Sequence, residues 1–158
     1  MKKLVITIPI FLIIFWACGG GEEKSSDNGN DAFKQKVADK FGLTLFELDN
    51  GIGPIKEKMT MPDQIDLIKA KSGEEIFTIK CSQCHKLDER YTGPALGDVT
   101  SVRSHEYIMN MILNPEEMTK KHPEAKKMLA TYANQMTFQN VTQDDALNIL
   151  EYLRSVNK

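Results

Sequence analysis

Two cysteines and a histidine stand together at residues 81–85 in a C-x-x-C-H pattern. Thiols at this spacing on a helical turn can reach the two vinyl groups of one porphyrin and form thioethers, and the pattern is typical of c-type haem attachment. A ring nitrogen of His85 would then lie under the iron as its proximal ligand. The sequence therefore predicts one covalently attached haem, with its iron, held by Cys81, Cys84 and His85.

A C-x-x-C pair has two other common uses in proteins. A structural zinc site needs a second cysteine pair or two closely spaced histidines, and His105 and His122 are too far apart in the sequence. A thioredoxin-like redox pair belongs in a βαβ unit, and no such pattern surrounds residue 81. Haem attachment is the interpretation that the motif favours.

The first residues have the composition of a targeting segment. Lys2 and Lys3 precede a largely apolar run over residues 4–17, which is short for a membrane span of about 20 residues. Cys18 follows and is itself followed by glycines. The segment resembles a bacterial lipoprotein signal, which predicts cleavage before Cys18 and a lipid on its thiol. An ordinary secretory signal and an uncleaved anchor are the alternatives.

Composition narrows the classes of function. The chain has 158 residues, about one domain, and a net charge of −2, so no basic patch indicates nucleic acid as a partner. A mildly acidic surface favours partners with a basic docking patch. If Cys18 takes lipid while Cys81 and Cys84 take haem, none of the three cysteines remains for a disulfide.

The chain divides into four predicted segments. Residues 1–17 form the signal peptide, and 18–30 form the lipidated cysteine and a flexible polar tether. Residues 31–71 form an N-terminal extension, with Asp31 as the N-cap of its first helix and one further short helical segment within 59–71. The extension is too small for a core of its own, so we expect it to pack on the haem domain, residues 72–158.

The haem domain shows helical periodicity and no strand-like alternation. A helix starting at Ser72 runs into the haem motif, and further helices are predicted over 104–113, from Pro123 to about residue 132, and after a capping-box start at Thr142. The predicted fold class is all-α, a small helical domain wrapped around one haem.

These residues together resemble the small monohaem cytochrome c family over about residues 72–158. The first helix holds Gly73 and Phe77, and the last holds Tyr152 and Leu153. In the family these two helices cross, with a small residue and aromatics at the contact. The resemblance also implies a role for the stretch Gly93-Pro94-Ala95-Leu96. There the carbonyl of Pro94 accepts the proton on the other ring nitrogen of His85, and Leu96 packs on the haem.

The second axial ligand has several candidates in the sequence. They are Met109, Met111, Met118, Met128, Met136, His105 and His122. The family places its ligand methionine on a loop before the last helix, and the resemblance therefore implies Met136 as the ligand. Thr137 follows it, where the family usually has proline. Both histidines are expected at the surface, and a bis-histidine site is the alternative.

The resemblance implies a six-coordinate electron carrier with no catalytic residue. A lipid tether would hold it beside membrane-bound redox proteins, the expected partners. Cys18 would anchor it to a bacterial membrane, on the periplasmic side or at the cell surface. Two alternatives stay open. The chain could be the haem-bearing subunit of a larger oxidase or dehydrogenase, or a peroxidase or gas sensor if Met136 leaves the iron accessible.

Overall fold

The computed structural model describes residues 28–157, so the predicted signal segment and Cys18 lie outside the described residues. Over that range the chain forms helices and no strand, which confirms the all-α prediction. In chain order the helices are α1 (Asn28–Phe41), α2 (Leu45–Asn50), α3 (Leu67–Lys80), α4 (Val99–Val102), α5 (His105–Leu113), α6 (Pro115–Lys121), α7 (Pro123–Tyr132) and α8 (Gln143–Ser155).

Helices α3 and α8 cross where their two backbones nearly touch. A Cβ atom added to Gly73 on α3 would stand 1.9 Å from the carbonyl oxygen of Asn148 on α8, so only glycine fits there. Farther along, the rings of Phe77 and Tyr152 pack with their centroids 5.3 Å apart. This is the predicted crossing of the first and last helices of the haem domain, and it directs the end of α3 toward the cysteine motif.

The crossing is stabilised by apolar side chains that α8 presents at helical spacing. Ile149, Leu150 and Leu153 are each at most 2% exposed and form one core cluster with Phe77 and Ile108. Burying a side chain of this size contributes about 1.5–3 kcal/mol to folding. The haem motif therefore follows directly on the best-packed part of the chain.

Helix α3 differs from its predicted boundaries. The sequence predicted a helical segment within 59–71 and a second helix from Ser72, whereas the structure has one continuous helix. Its N-cap is Asp66, whose carboxylate accepts a hydrogen bond from the backbone N–H of Ile68 at 3.0 Å. Similarly, α1 begins before Asp31, which lies in the first turn of the helix instead of capping it.

Three short helices, α2, α4 and α6, were not predicted. Helix α2 begins with a capping box: the backbone N–H of Glu47 donates to the hydroxyl of Thr44, and the Thr44 N–H donates to the Glu47 carboxylate. The same device, with Thr142 and Asp145, was recognised in the sequence and does start α8. The start of α2 could therefore have been predicted from the T-x-x-E pattern formed by Thr44 and Glu47.

The side chain of Asn110 on α5 holds the extension against the haem domain by hydrogen bonds. It is fully buried, and its amide nitrogen donates to the carbonyls of Asn50 and Ile55, both at 3.0 Å. Its oxygen accepts from the N–H of Ile55 at 2.9 Å. One turn earlier, the buried carboxylate of Glu106 accepts from the N–H of Met59 at 2.7 Å. Side chains of α5 thus supply hydrogen-bond partners for backbone groups of the irregular segment 51–59.

Two residues that sequence patterns placed in polar or exposed surroundings are buried. Met118 is 0% exposed and His122 is 1% exposed. The extension provides the cover: the N–H of Ile52 donates to Sδ of Met118 at 2.9 Å, and Nε2 of His122 donates to the carbonyl of Leu48 at 3.0 Å. The prediction of a surface histidine was wrong because the burying partner lies far away in the sequence.

None of the helices within residues 28–157 is both long enough and apolar enough to cross a membrane.

Replacing Gly73 with alanine should lower the free energy of unfolding by about 1–3 kcal/mol or more, because overpacking at a backbone contact forces the two helices apart. Chemical denaturation of the purified protein measures this change. Glu75→Ala, at an exposed position of the same helix, is the control and should shift stability by no more than about 0.5 kcal/mol. Equal stabilities for the Gly73→Ala variant and the parent protein would contradict the close crossing.

Candidate functional site

The C-x-x-C-H motif forms a tight turn at the end of α3. The N–H of Cys81 donates to the carbonyl of Phe77 at 2.8 Å and closes the helix. The N–H groups of Cys84 and His85 then both donate to the carbonyl of Cys81, at 3.0 and 2.9 Å. Cys81 is half-buried, Cys84 is exposed, and both are free thiols that line one cavity together with His85.

The imidazole of His85 is held in a single orientation by the chain that follows the motif. Its Nδ1 lies 3.0 Å from the carbonyl oxygen of Pro94, and because a carbonyl only accepts, Nδ1 carries the proton. The lone pair of Nε2 is therefore free for a metal. Burial lowers the pKa of His85, with the Pro94 carbonyl acting in the opposite direction, and this favours the neutral ligand form.

Gly93 allows this arrangement. A Cβ atom there would stand 2.5 Å from Cε1 of the His85 ring, so the backbone can approach the imidazole only without a side chain. The segment is secured by hydrogen bonds back to the motif, from the N–H of Gly93 to the carbonyl of Cys84 at 2.8 Å and from Leu96 to Lys86 at 3.0 Å.

The cavity above the motif has a volume of about 480 Å³. Its wall is mainly apolar and is contributed chiefly by α3, the segment that follows the motif, α4, α5, α7, α8 and the loop between the last two helices. The apolar side chains include Phe77, Pro94, Leu96, Ile108, Ile112, Leu129, Ile149 and Leu153. An apolar cavity of this size with few polar groups has the form of a cofactor site.

The candidate distal ligands separate into two groups. Met111 on α5, Met128 on α7 and Met136 on the loop line the cavity. The other candidates within residues 28–157, Met109, Met118, His105 and His122, do not line it. The structure therefore brings Met136 to the same cavity as His85 and gives no support to a bis-histidine site.

Comparison with known proteins agrees with this geometry. Residues 70–157 match the family model described as cytochrome c. A cytochrome c from Rhodothermus marinus is 44% identical, with a TM-score of 0.66 over 70% of this chain and 94% of that one. No curated protein matches the chain. The chain belongs to the cytochrome c family.

Two engineered forms of the Rhodothermus marinus cytochrome c are similar to the same extent. Each is 44% identical over 70% of this chain and 95% of its own, with TM-scores of 0.66 and 0.63. The second is described as bound to a carbene intermediate, 1-ethoxy-1-oxopropan-2-ylidene.

As a cytochrome c, this protein carries a covalently attached haem c with its iron and serves as an electron carrier. The residues present fit that group, with two free thiols, a histidine of fixed tautomer and an apolar wall. A further observation concerns Tyr107, which lines the cavity and whose buried hydroxyl has no hydrogen-bond partner within the part of the chain that the structure describes. Arg103 also lines the cavity, with its guanidinium 4.8 Å from the centroid of the Tyr107 ring. A cation at this wall suits a carboxylate of the haem.

The cysteine environment in this cytochrome also argues against the other uses of a C-x-x-C pair. Burial raises the pKa of Cys81 to about 11, with the neighbouring Cys84 adding to the effect and Lys80 opposing it. A redox-active dithiol has the opposite property, a lowered thiol pKa. Within residues 28–157, no group of three or more histidine, cysteine and acidic residues is placed to hold a metal ion.

Two residues at this site escaped the sequence analysis. Gly93 was quoted only as part of a family stretch, although a glycine directly before a proline near the motif is a signal for close backbone approach. Tyr107 was not among the predicted site residues, and nothing in the local sequence shows that it lines the cavity.

Replacing Gly93 with alanine should raise the reduction potential of the haem. The added methyl group pushes the imidazole away from Pro94, the ring becomes a poorer donor, and ferric iron loses more than ferrous iron does. A spectroelectrochemical titration should show a rise of about 60 mV for each tenfold fall in the affinity of His85 for ferric iron relative to ferrous iron. Thr92→Ala, at the preceding cavity-lining position, is the control. An unchanged potential would mean that the Pro94 hydrogen bond does not tune the iron.

Proposed function

We propose that this cytochrome is a membrane-tethered carrier of single electrons in which His85 and Met136 are the two axial ligands of the haem iron. The observation that carries the proposal is that both side chains line one cavity from separate segments, the motif turn and the loop before α8. Of the methionines at the cavity, only Met136 is outside a helix, so its backbone is free to follow the ligand geometry.

Bound haem supplies a one-electron cycle between ferric and ferrous iron, and the side chains decide how that cycle proceeds. A neutral, soft thioether from Met136 favours the ferrous state and raises the potential. The apolar wall acts in the same direction, because it excludes the water that would stabilise the higher charge. With both axial positions taken by the protein, no open position remains for a substrate.

The surrounding helices keep the site rigid during electron transfer. The packing of α3 on α8 fixes the motif turn, and the Pro94 carbonyl fixes the ring of His85. A site that holds the same ligands in both oxidation states reorganises little, and this supports rapid exchange with partners. We propose redox proteins in or at the membrane as those partners.

The tether depends on residues that precede the described part of the chain. Cleavage before Cys18 and lipid attachment to its thiol would place a polar linker of residues 19–30 between membrane and haem domain. Confinement beside membrane-bound donors and acceptors raises their effective concentration. The proposed location is the periplasmic side or outer surface of a bacterial membrane.

A second candidate function is supported by one specific observation. The engineered relative described as bound to a carbene intermediate favours a haem site that a small exogenous group can reach. In this chain, that would require Met136 to leave the iron. The peroxidase or gas-sensor alternative therefore also requires Met136 to leave the iron. Purification of the protein alone or together with other proteins distinguishes a free carrier from a subunit of a larger complex.

Replacing Met136 with alanine should abolish the weak long-wavelength absorption band of the ferric haem, which marks a sulfur–iron bond. The variant should also bind carbon monoxide readily in the ferrous state and have a lower potential than the parent, because a soft ligand is lost. Ultraviolet–visible spectra of the purified holoprotein, with and without carbon monoxide, measure the first two effects.

Met111→Ala and Met128→Ala are matched controls, since both residues line the same cavity. Each should keep the sulfur–iron band. If the band survives in Met136→Ala and disappears in either control, the ligand assignment is wrong and the other methionine takes its place.

Replacing Cys18 with serine should release the protein from the membrane fraction, because the lipid would have no thiol to join. Radiolabelled fatty acid should label the parent protein and leave the variant unlabelled, while haem staining of both stays equal. Labelled Cys18→Ser protein would contradict the proposed anchor.

A further inference from the structure

The loop that carries Met136 depends on hydrogen bonds for its position. It covers residues 133–142 between α7 and α8, and most of its side chains are exposed. It leaves α7 through Ala133, whose φ of 51° is in the left-handed region that alanine seldom occupies. Because such a loop buries little apolar surface, specific polar contacts decide where Met136 lies.

Gln135 makes the first of these contacts. Its side-chain nitrogen donates to the hydroxyl oxygen of Thr119 on α6 at 2.6 Å and to the carbonyl of Met136 at 2.8 Å. Thr119 is buried, and its own proton goes to the carbonyl of Pro115 at 2.8 Å. Its oxygen is thereby left as an acceptor for Gln135, so donors and acceptors match along the whole chain of bonds.

Glu116 makes the second contact. Its carboxylate accepts from the backbone N–H of Phe138 at 2.9 Å, two residues after Met136. An ionised acceptor makes this bond stronger than one between neutral groups. The loop is therefore fastened to α6 on both sides of the methionine.

Helix α6 is itself fixed by the extension. The N–H of Ile52 donates to Sδ of the fully buried Met118, and Nδ2 of Asn114 donates to the carbonyl of Ile52 at 3.2 Å. The helix that anchors the loop is thus itself hydrogen-bonded to the extension.

We propose that Gln135 and Glu116 are positioning residues for Met136, which clamp its loop to α6 and thereby set how readily the methionine yields its place to an outside ligand. This inference rests on the proposed function, in which Met136 is the distal ligand. An outside ligand binds only when the methionine is away from the iron, so its apparent affinity reports the fraction of molecules in that state.

The test titrates the ferric holoprotein with imidazole as the incoming ligand. Binding is measured from the change in the haem absorption spectrum, which in the parent protein includes loss of the sulfur–iron band. Gln135→Ala should raise the apparent imidazole affinity by about threefold to tenfold, the range expected for the loss of a neutral hydrogen bond. Glu116→Ala should raise it by about tenfold or more, since the bond lost is to a charged group. Glu116→Gln keeps an acceptor oxygen and should restore most of the parent behaviour.

Gln139→Ala is the matched control. Gln139 lies on the same loop, but its side chain bonds only within the loop, to the carbonyl and hydroxyl of Thr137. This variant should stay within about twofold of the parent affinity. An equal increase in Gln139→Ala and Gln135→Ala would overturn the clamp, because general loosening of the loop would then explain both.

A double variant separates the clamp from the ligand assignment. In the Met136→Ala background, Gln135→Ala should leave imidazole affinity unchanged, because no methionine remains to be positioned. The same increase in that background would overturn the inference, since Gln135 would then control access to the cavity. If Met136→Ala removes the sulfur–iron band and Gln135→Ala has no effect on affinity, the clamp is wrong while the proposed function stands. If Met136→Ala keeps the band, both are wrong.

Discussion

The position of the His85 ring is the constraint on which the rest of the structure depends. Its Nδ1–H bond to the Pro94 carbonyl and its contact with Gly93 leave the imidazole one orientation. A haem joined to Cys81 and Cys84 would be held by this ring as well as by the two thiols. Every other side chain at the cavity has to be placed relative to this ring.

Two layers of packing meet this constraint. On one side, the close crossing of α3 and α8 at Gly73 sets where the motif begins. On the other side, α5 and α6 lie between the extension and the loop that carries Met136. The packing of α3 on α8 is apolar and belongs to the main core cluster. The contacts of α5 and α6 with the extension use buried polar side chains, with Asn110 at their centre.

The features that could be predicted from the sequence are those with local causes. The haem motif, the capping box at Thr142 and the helices beginning at Ser104 and Pro123 are each specified by a few adjacent residues, and the structure has them. Helix α8 followed from helical periodicity, and its crossing with α3 followed from the resemblance to a family.

The features that could not be predicted depend on contacts between distant parts of the chain. The stretch that forms α6 is polar and rich in lysine, and the extension, some sixty or more residues earlier, helps to bury Met118 and the following His122. The start of α3 was misplaced for a different reason. Leu67 and Ile68 are exposed, so the periodicity that marks a buried helix face begins later than the helix.

The polar centre at Asn110 also determines where this chain can be shortened. The family match covers residues 70–157, a boundary that falls inside α3 and omits the whole extension. A protein trimmed there would lose Asp66 as a helix cap and every partner of the Asn110 amide, and it would expose the side chains of Met118 and His122 that the extension covers. The smallest autonomous unit of this cytochrome is therefore larger than its family signature, and it includes the extension.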